Sequence, residues 1–144
     1  MTLGAALRYA ARGWRVFPVK SHDKVPATTH GLLDATINER AIREWWTDRE
    51  WNVGVATGAA SGLVVVDVDA GHGGMESMEG LAIPETVTVL TGGGGLHYYF
   101  AHPGYEVRNA TGLLPGIDLR GDGGYVVAPP SSHASGRRYE WEVL

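Results

Sequence analysis

The stretch that decides the fold is residues 63–69, Leu-Val-Val-Val-Asp-Val-Asp, which ends at Ala70 and Gly71. A short run of β-branched residues predicts a buried strand. Because side chains alternate across a strand, Asp67 and Asp69 should share one face. Two adjacent carboxylates repel each other unless a positive charge lies between them, and a hard divalent cation such as Mg²⁺ or Mn²⁺ would supply it. A strand that ends in solvent, with aspartates capping a turn, explains the pattern equally well.

Composition indicates one globular domain spanning residues 1–144. The hydrophobic share of 44% and the charged share of 19% are ordinary for a soluble globular protein. The chain has no cysteine, which excludes disulfides, cysteine–zinc sites and thiol nucleophiles. No apolar stretch approaches the length of a membrane span, and the N-terminus lacks the order of a signal peptide. We therefore expect a cytoplasmic protein without membrane contact.

The charges are unevenly distributed along the chain. The formal net charge is −4, yet no lysine or arginine occurs between Glu50 and Val107. Basic residues are confined to the N-terminal third and the C-terminal quarter. An acidic middle with basic ends is suited to a central cation with polyanion contacts around it. For most of these side chains, ordinary solvation is the simpler interpretation.

Helices are expected early in the chain and strands mostly late. Apolar periodicity predicts a helix over residues 3–12 and a second helix that begins after the N-cap Asn38. The glycine-rich residues 71–80 have room for a short helix. Together these elements predict an α+β fold, with a mixed central β-sheet and flanking helices. The predicted strands occupy residues 14–19, 52–57, 63–69, 86–91, 96–101, 116–119, 125–128 and 138–143.

A glycine run precedes one of these strands, in residues 91–100, Thr-Gly-Gly-Gly-Gly-Leu-His-Tyr-Tyr-Phe. Its backbone N–H groups, including those of Gly94 and Gly95, could form a nest for phosphate oxygens. His97 follows on the strand and could donate a hydrogen bond to a triphosphate. A flexible hairpin turn followed by a half-buried histidine is the alternative. The run matches neither the Walker A nor the dinucleotide-binding pattern.

A third group of polar residues lies in residues 116–131, Gly-Ile-Asp-Leu-Arg-Gly-Asp-Gly-Gly-Tyr-Val-Val-Ala-Pro-Pro-Ser. Asp118 and Arg120 should share one strand face. A carboxylate beside a guanidinium suits a metal-bound phosphate, since the acid holds the ion and the arginine binds oxygen in a forked geometry. An intrastrand salt bridge on a solvated face is the alternative, and such pairs contribute little to stability.

The ordered set of motifs resembles the prim-pol domain, the N-terminal bifunctional DNA primase/polymerase domain of plasmid, phage and mobile-element replication proteins. This domain belongs to the archaeo-eukaryotic primase superfamily. The motifs are D-x-D from Asp67, the glycine-rich loop with His97, and D-x-R-G-x-G-G-Y-V-V-A-P-P-S from Asp118. Residues 14–19, the Lys24-x-Pro26 step and residues 52–58 extend the similarity over nearly the whole chain. The resemblance implies a primase catalytic core that forms the N-terminal part of a longer replication protein.

The resemblance also implies a function and a site. The function would be metal-dependent nucleotidyl transfer, in which primers are synthesised or extended on a single-stranded DNA template from (d)NTPs, with a possible helicase domain or partner. The catalytic acids would bind two Mg²⁺ or Mn²⁺ ions, and other residues would contact the nucleotide. The acids are Asp67, Asp69 and Asp118, and the nucleotide-binding residues are His97, Arg120, Gly94, Gly95 and Lys24.

Two departures from the family pattern keep other functions open. Gly95 stands where relatives often have a small hydroxyl residue, and the chain stops at Leu144, where relatives usually continue. A non-catalytic nucleotide- or nucleic-acid-binding module derived from the same fold is the main alternative. A metal-dependent phosphohydrolase or nuclease is the third possibility, because the same acids could activate water instead of a 3′-hydroxyl.

Overall fold

The computed structural model describes residues 1–47 and 49–143, and it confirms the α+β class. The helices are α1 (Thr2–Ala11), α2 (Glu39–Thr47) and the short α3 (Gly74–Glu79). The strands are β1 (Val16–Val19), β2 (Asn52–Ala56), β3 (Leu63–Val68), β4 (Val87–Leu90), β5 (Leu96–Ala101), β6 (Ala110–Leu114), β7 (Ile117–Arg120), β8 (Tyr125–Ala128) and β9 (Glu140–Val143).

The two long helices begin and end where local chemistry predicts. Beyond α1, Gly13 adopts φ +88°, a left-handed conformation that glycine enters without a Cβ clash. At the start of α2, the Asn38 side chain accepts a hydrogen bond of 3.0 Å from the Ala41 N–H, which confirms the predicted N-cap. No helix in residues 1–47 and 49–143 combines the length and the apolar character that a bilayer crossing requires.

The strands form two antiparallel sheets instead of one mixed sheet. The smaller sheet has the order β1-β2-β8, and the larger has the order β6-β7-β3-β5-β4-β9. Strands β4 and β5, like β6 and β7, are antiparallel neighbours joined by short connections, the geometry that a hairpin imposes. The predicted C-terminal edge strand is confirmed as β9, whereas β6 was not predicted.

The core lies between the two sheets and includes the inner faces of α1 and α2. Val65 on β3 and Val89 on β4 are fully buried, as are Phe17 on β1 and Ile42 on α2. Tyr9, Trp14, Tyr99 and Trp141 add an aromatic cluster between α1 and the larger sheet. This packing fixes β3 near the centre of the larger sheet, with β5 on one side and β7 on the other.

Strand β3 ends one residue earlier than the sequence suggests. Its last residue is Val68, and Asp69 begins a 3-10 turn over residues 70–72. The backbone of Asp69 is still extended, with φ −94° and ψ 107°. Asp67 therefore lies within the paired strand, while Asp69 lies at its exit.

Candidate functional site

The site is built on a row of residues that crosses three strands. Asp67 on β3 is the direct partner of His97 on β5 and of Asp118 on β7. Directly opposed residues of antiparallel strands project to the same face. Two residues back along β3, Val65 is opposite Arg120, so the arginine belongs to the same face. The strand register thus gathers two acids, a histidine and an arginine that lie far apart in the sequence.

Arg120 lies between the two opposed carboxylates. One of its terminal nitrogens is 3.1 Å from Asp118 Oδ2 and 3.8 Å from Asp67 Oδ2. The other oxygen of Asp118 accepts a hydrogen bond of 2.8 Å from the Gly112 N–H. The sequence required a positive charge between neighbouring carboxylates, and in this structure the guanidinium supplies it.

His97 holds the other side of Asp67. Its Nε2 is 3.3 Å from Asp67 Oδ1, and the histidine side chain is only 8% exposed. Burial raises the pKa of Asp67. The hydrogen bond from His97 and the charges of His97, Arg120 and Lys24 lower the pKa by more than burial raises it, so the net pKa lies below the usual value. Asp67 is therefore an ionised acceptor in a partly dry environment.

His97 is buried, unlike a histidine that contacts phosphate at the protein surface. Its Nδ1 is buried and has no hydrogen-bond partner among the residues described. Its ring centroid is 6.2 Å from that of Tyr139. Burial and the negative charge of Asp67 together raise the pKa of Tyr139 to about 12, so Tyr139 stays neutral. In this arrangement His97 orients Asp67 directly.

This row opens into a cleft of about 270 Å³ between the two sheets. Lys24 reaches the cleft from the loop after β1, and the Tyr125 hydroxyl donates a hydrogen bond of 2.7 Å to its carbonyl. Asp67, His97 and Arg120 also line the cleft. Several residues that line the cleft were not predicted from the sequence: Leu32, Asn109, Tyr125 and Tyr139. Tyr125 lies inside one of the quoted motifs, whereas the other three carry no sequence signal.

Asp69 does not join Asp67 in this arrangement. One of its oxygens accepts a hydrogen bond of 2.9 Å from the Gly71 N–H, and the other lies 2.7 Å from His72 Nδ1. The register adds Asp118 as a direct cross-strand neighbour of Asp67, and the pairing of Asp67 with Asp69 stays a prediction. The turn after β3 offers Asp69 these local partners.

Two carboxylates of the row offer the donor atoms that a hard divalent cation prefers. Asp67 and Asp118 carry carboxylate oxygens at directly opposed positions of β3 and β7, and oxygen ligands are those that Mg²⁺ and Mn²⁺ prefer; Asp67 lines the cleft, whereas Asp118 lies beside it. Within residues 1–47 and 49–143, no three histidine, aspartate or glutamate side chains are grouped so as to hold an ion. The pair thus supplies two of the oxygen donors that such an ion prefers, and Asp69 is the nearest carboxylate in sequence that could supply a third.

The glycine-rich turn lies outside the cleft. The N–H groups of Gly94 and Gly95 donate to the carbonyl and hydroxyl oxygens of Thr91, at 3.1 and 2.9 Å. A Cβ on Gly95 would lie 2.1 Å from the Val68 carbonyl oxygen, so close backbone approach explains this glycine. These two residues line a different groove, beside Arg137. The structure therefore does not show the phosphate nest expected at Gly94 and Gly95.

Comparison with known proteins agrees with the motif order and the fold. Among curated proteins, none matches this chain. The family model for the N-terminal domain of bifunctional DNA primase/polymerase matches residues 6–143, which is nearly the whole chain. This match confirms the resemblance that the motifs carry, so the chain belongs to the Prim-Pol family of bifunctional DNA primase/polymerase N-terminal domains.

Proposed function

We propose that this domain is a metal-dependent nucleotidyltransferase that synthesises or extends primers on a DNA template. Membership of the Prim-Pol family implies DNA and nucleotides as partners. The observation that carries the proposal is the row of His97, Asp67 and Asp118, directly opposed across three strands, of which His97 and Asp67 line a cleft. A helicase domain or partner stays a prediction from the resemblance.

In this proposal Asp67 and Asp118 hold the divalent cation, Mg²⁺ or Mn²⁺. When bound, the cation would neutralise charge on the triphosphate and lower the pKa of the attacking 3′-hydroxyl. Asp67 is suited to this role because its lowered pKa keeps the carboxylate ionised. A two-ion site, as the family resemblance implies, would take its third carboxylate from Asp69, whose oxygens contact Gly71 and His72 in this structure.

The cationic side chains of the cleft would bind the nucleotide. Arg120 now contacts both carboxylates, and its planar guanidinium can turn a forked pair of donors toward phosphate oxygens. Lys24 adds a mobile point charge from an exposed loop at the rim. His97 keeps Asp67 oriented through Nε2. Cationic donors directed at the phosphates stabilise charge that develops on a transferring phosphoryl group.

One observation favours a second candidate, a nucleotide-binding module without catalysis. Arg120 already lies between Asp67 and Asp118 and offsets part of their charge, while Asp69 is hydrogen-bonded to its own turn. A cleft in which an arginine replaces the cation would still bind a triphosphate through Arg120 and Lys24. It would not activate a 3′-hydroxyl.

Extension of a labelled primer on a DNA template with dNTPs and Mn²⁺ separates these functions. We expect the wild type to lengthen the primer and the Asp67→Ala/Asp69→Ala variant to leave it unchanged. Glu85→Ala removes an exposed loop acid and is the matched control, so it should extend normally. Metal-dependent dNTP binding without extension by the wild type would favour the binding module. Shortened DNA or free phosphate would indicate a hydrolase.

A further inference from the structure

Among the described residues that line the cleft, Asn109 alone has an amide side chain, and a backbone partner fixes its orientation. Its Oδ1 accepts a hydrogen bond of 2.8 Å from the Gly121 N–H. A backbone N–H can donate only to the oxygen of an amide, so the oxygen end of the side chain must face Gly121. The Nδ2 group, which is a donor only, is therefore on the other side of the amide.

Asn109 supports the turn that follows Arg120. The N–H of Gly121 donates to Asn109, and the carbonyl of Gly121 accepts a hydrogen bond of 2.6 Å from the hydroxyl of the buried Thr57. Gly124 ends the same turn, and a Cβ there would overlap both Asn109 Oδ1 and Thr57 Oγ1. Close approach of these two side chains thus explains Gly124 and holds the backbone next to Arg120.

The main chain beside Asn109 is attached to the same turn. Two residues earlier, the Val107 N–H donates to Asp122 Oδ2 at 2.8 Å. The Val107 carbonyl accepts from the Asp122 N–H at 2.6 Å. Asn109 is therefore held through its side chain and through its neighbouring backbone. A donor held in this way loses little conformational freedom when it binds a ligand.

The Nδ2 group of Asn109 is available to a ligand. Within residues 1–47 and 49–143 it donates no hydrogen bond, and Asn109 is exposed at the cleft. The other donors of the cleft differ from it, because Arg120 contacts Asp67 and Asp118, while Lys24 belongs to an exposed loop. A partner of Nδ2 must be an acceptor, and the positive charges of Arg120 and Lys24 favour an anionic one.

We propose that Asn109 donates a hydrogen bond from Nδ2 to a phosphate oxygen of the bound nucleoside triphosphate, a role that rests on the proposed function of the cleft. Its Oδ1 at the same time holds Gly121, and with it the backbone from which Arg120 projects. One side chain would thereby connect the turn with the ligand. The flexible Lys24 side chain, in contrast, has to be ordered when the nucleotide binds.

Two substitutions separate contact with the ligand from support of the turn. Asn109→Asp keeps an oxygen for the Gly121 N–H and replaces the Nδ2 donor with a second, negatively charged oxygen. Asn109→Ala removes both ends of the amide. Isothermal titration calorimetry with Mg²⁺ measures the binding of dATP and of inorganic triphosphate to each variant. Neither titration contains a primer, so nucleotidyl transfer is not needed for the measurement.

We expect Asn109→Ala to weaken dATP binding about tenfold, the lower end of the effect of one lost hydrogen bond to a charged group. Asn109→Asp should weaken it more, because a carboxylate repels phosphate. Inorganic triphosphate should lose affinity by similar factors, since the contact is with phosphate. Asn38→Asp is the matched control: it makes the same change at the N-cap of α2, where an oxygen still accepts from Ala41, and should leave both affinities unchanged.

Several outcomes would overturn the proposal. Wild-type affinity in Asn109→Asp, with a loss in Asn109→Ala, would assign Asn109 to support of the turn alone. A loss for dATP without a loss for inorganic triphosphate would move the contact to the sugar or the base. Failure of the wild type to bind either ligand would also overturn it, as would an equal loss in Asn38→Asp.

The fold of the variants and the transfer reaction are measured separately. Asn109→Asp keeps the oxygen that Gly121 needs, so its circular dichroism melting curve should match that of the wild type. Primer extension by the wild type tests the proposed transfer. Absence of extension with the expected order of dATP affinities would contradict the transfer reaction and leave the role of Asn109 in nucleotide binding supported.

Discussion

Asp67 and His97 face each other across β3 and β5, with Asp67 Oδ1 3.3 Å from His97 Nε2. The histidine is buried, and its second nitrogen has no partner among the described residues. The contact fixes the orientation of Asp67 and contributes to its lowered pKa. The same carboxylate faces Asp118 on its other side, so this pair of residues anchors the whole row.

The lowered pKa of Asp67 predicts a pH dependence of stability. The unfolded chain has an Asp pKa of about 3.9, so the unfolded state binds more protons than the folded state when the pH lies between the two values. Stability from this group is therefore complete above about pH 4 and is lost as the pH falls through the folded pKa. As the pH is lowered, the urea concentration at the unfolding midpoint should therefore fall less steeply for Asp67→Asn than for the wild type.

Urea unfolding between pH 2 and 7 measures that decline. The control is Glu85→Gln, a change in an exposed loop, which should follow the wild-type curve. Parallel curves for Asp67→Asn and the wild type would show that Asp67 has the same pKa in the folded and unfolded states.

Arg120 leads to a second prediction. Its removal leaves two opposed carboxylates without the cation that now lies between them. Without divalent ions, Arg120→Ala should lose about 1.5–3 kcal/mol of unfolding free energy, the scale of a hydrogen bond to a charged group. If Asp67 and Asp118 form the metal site, Mn²⁺ should recover much of this loss, because binding to the folded state alone stabilises it.

Thermal melts with and without Mn²⁺ measure this recovery. Arg108→Ala is the matched control, since Arg108 is exposed and its ion pair is with Glu106 at the surface. Its melting temperature should barely change, and Mn²⁺ should shift it as in the wild type. A Mn²⁺ shift in Arg120→Ala no larger than in Arg108→Ala would argue against a cation between the two carboxylates.

Gly95 leads to a third prediction, on stability. An alanine there would place its Cβ 2.1 Å from the Val68 carbonyl oxygen, at the exit of β3. We expect Gly95→Ala to lower the unfolding free energy by about 1–3 kcal/mol, as overpacking does. Gly93→Ala is the control, because its Cβ would meet only the His133 ring, at 3.2 Å. Equal urea midpoints for the two variants would contradict the close approach.

Much of the fold could be predicted from local patterns. The valine run, the strand 96–101 and the N-cap at Asn38 were predictable because alternation and capping depend on neighbouring residues. Strand β6 was missed because it contains Gly112 at φ +67° and lacks an alternating apolar pattern. The division into two sheets depends on long-range pairing, such as β2 with β8, which no local pattern encodes.

The candidate site was predictable in its residue types and less so in its arrangement. Asp67, His97, Asp118 and Arg120 do meet, as the motifs suggest. That Asp118 is opposite Asp67, and that Asp69 accepts a hydrogen bond from the Gly71 N–H, follows from strand register and from the turn after β3, neither of which is visible in the sequence. The amide groups of the glycine run were expected to be free to bind phosphate, but two of them donate hydrogen bonds to Thr91 within the turn.

The central claim is that Asp67 and Asp118 together form a nucleotidyl-transfer site. Its most direct test is pyrophosphate release with primer, template, dNTP and Mn²⁺, comparing the wild type with Asp118→Asn, which preserves the shape of the side chain. We predict that the wild type releases one pyrophosphate for each nucleotide added and that Asp118→Asn releases none. The thermal unfolding curve of Asp118→Asn should show that the variant is folded. Equal release by Asp118→Asn and the wild type would contradict the account.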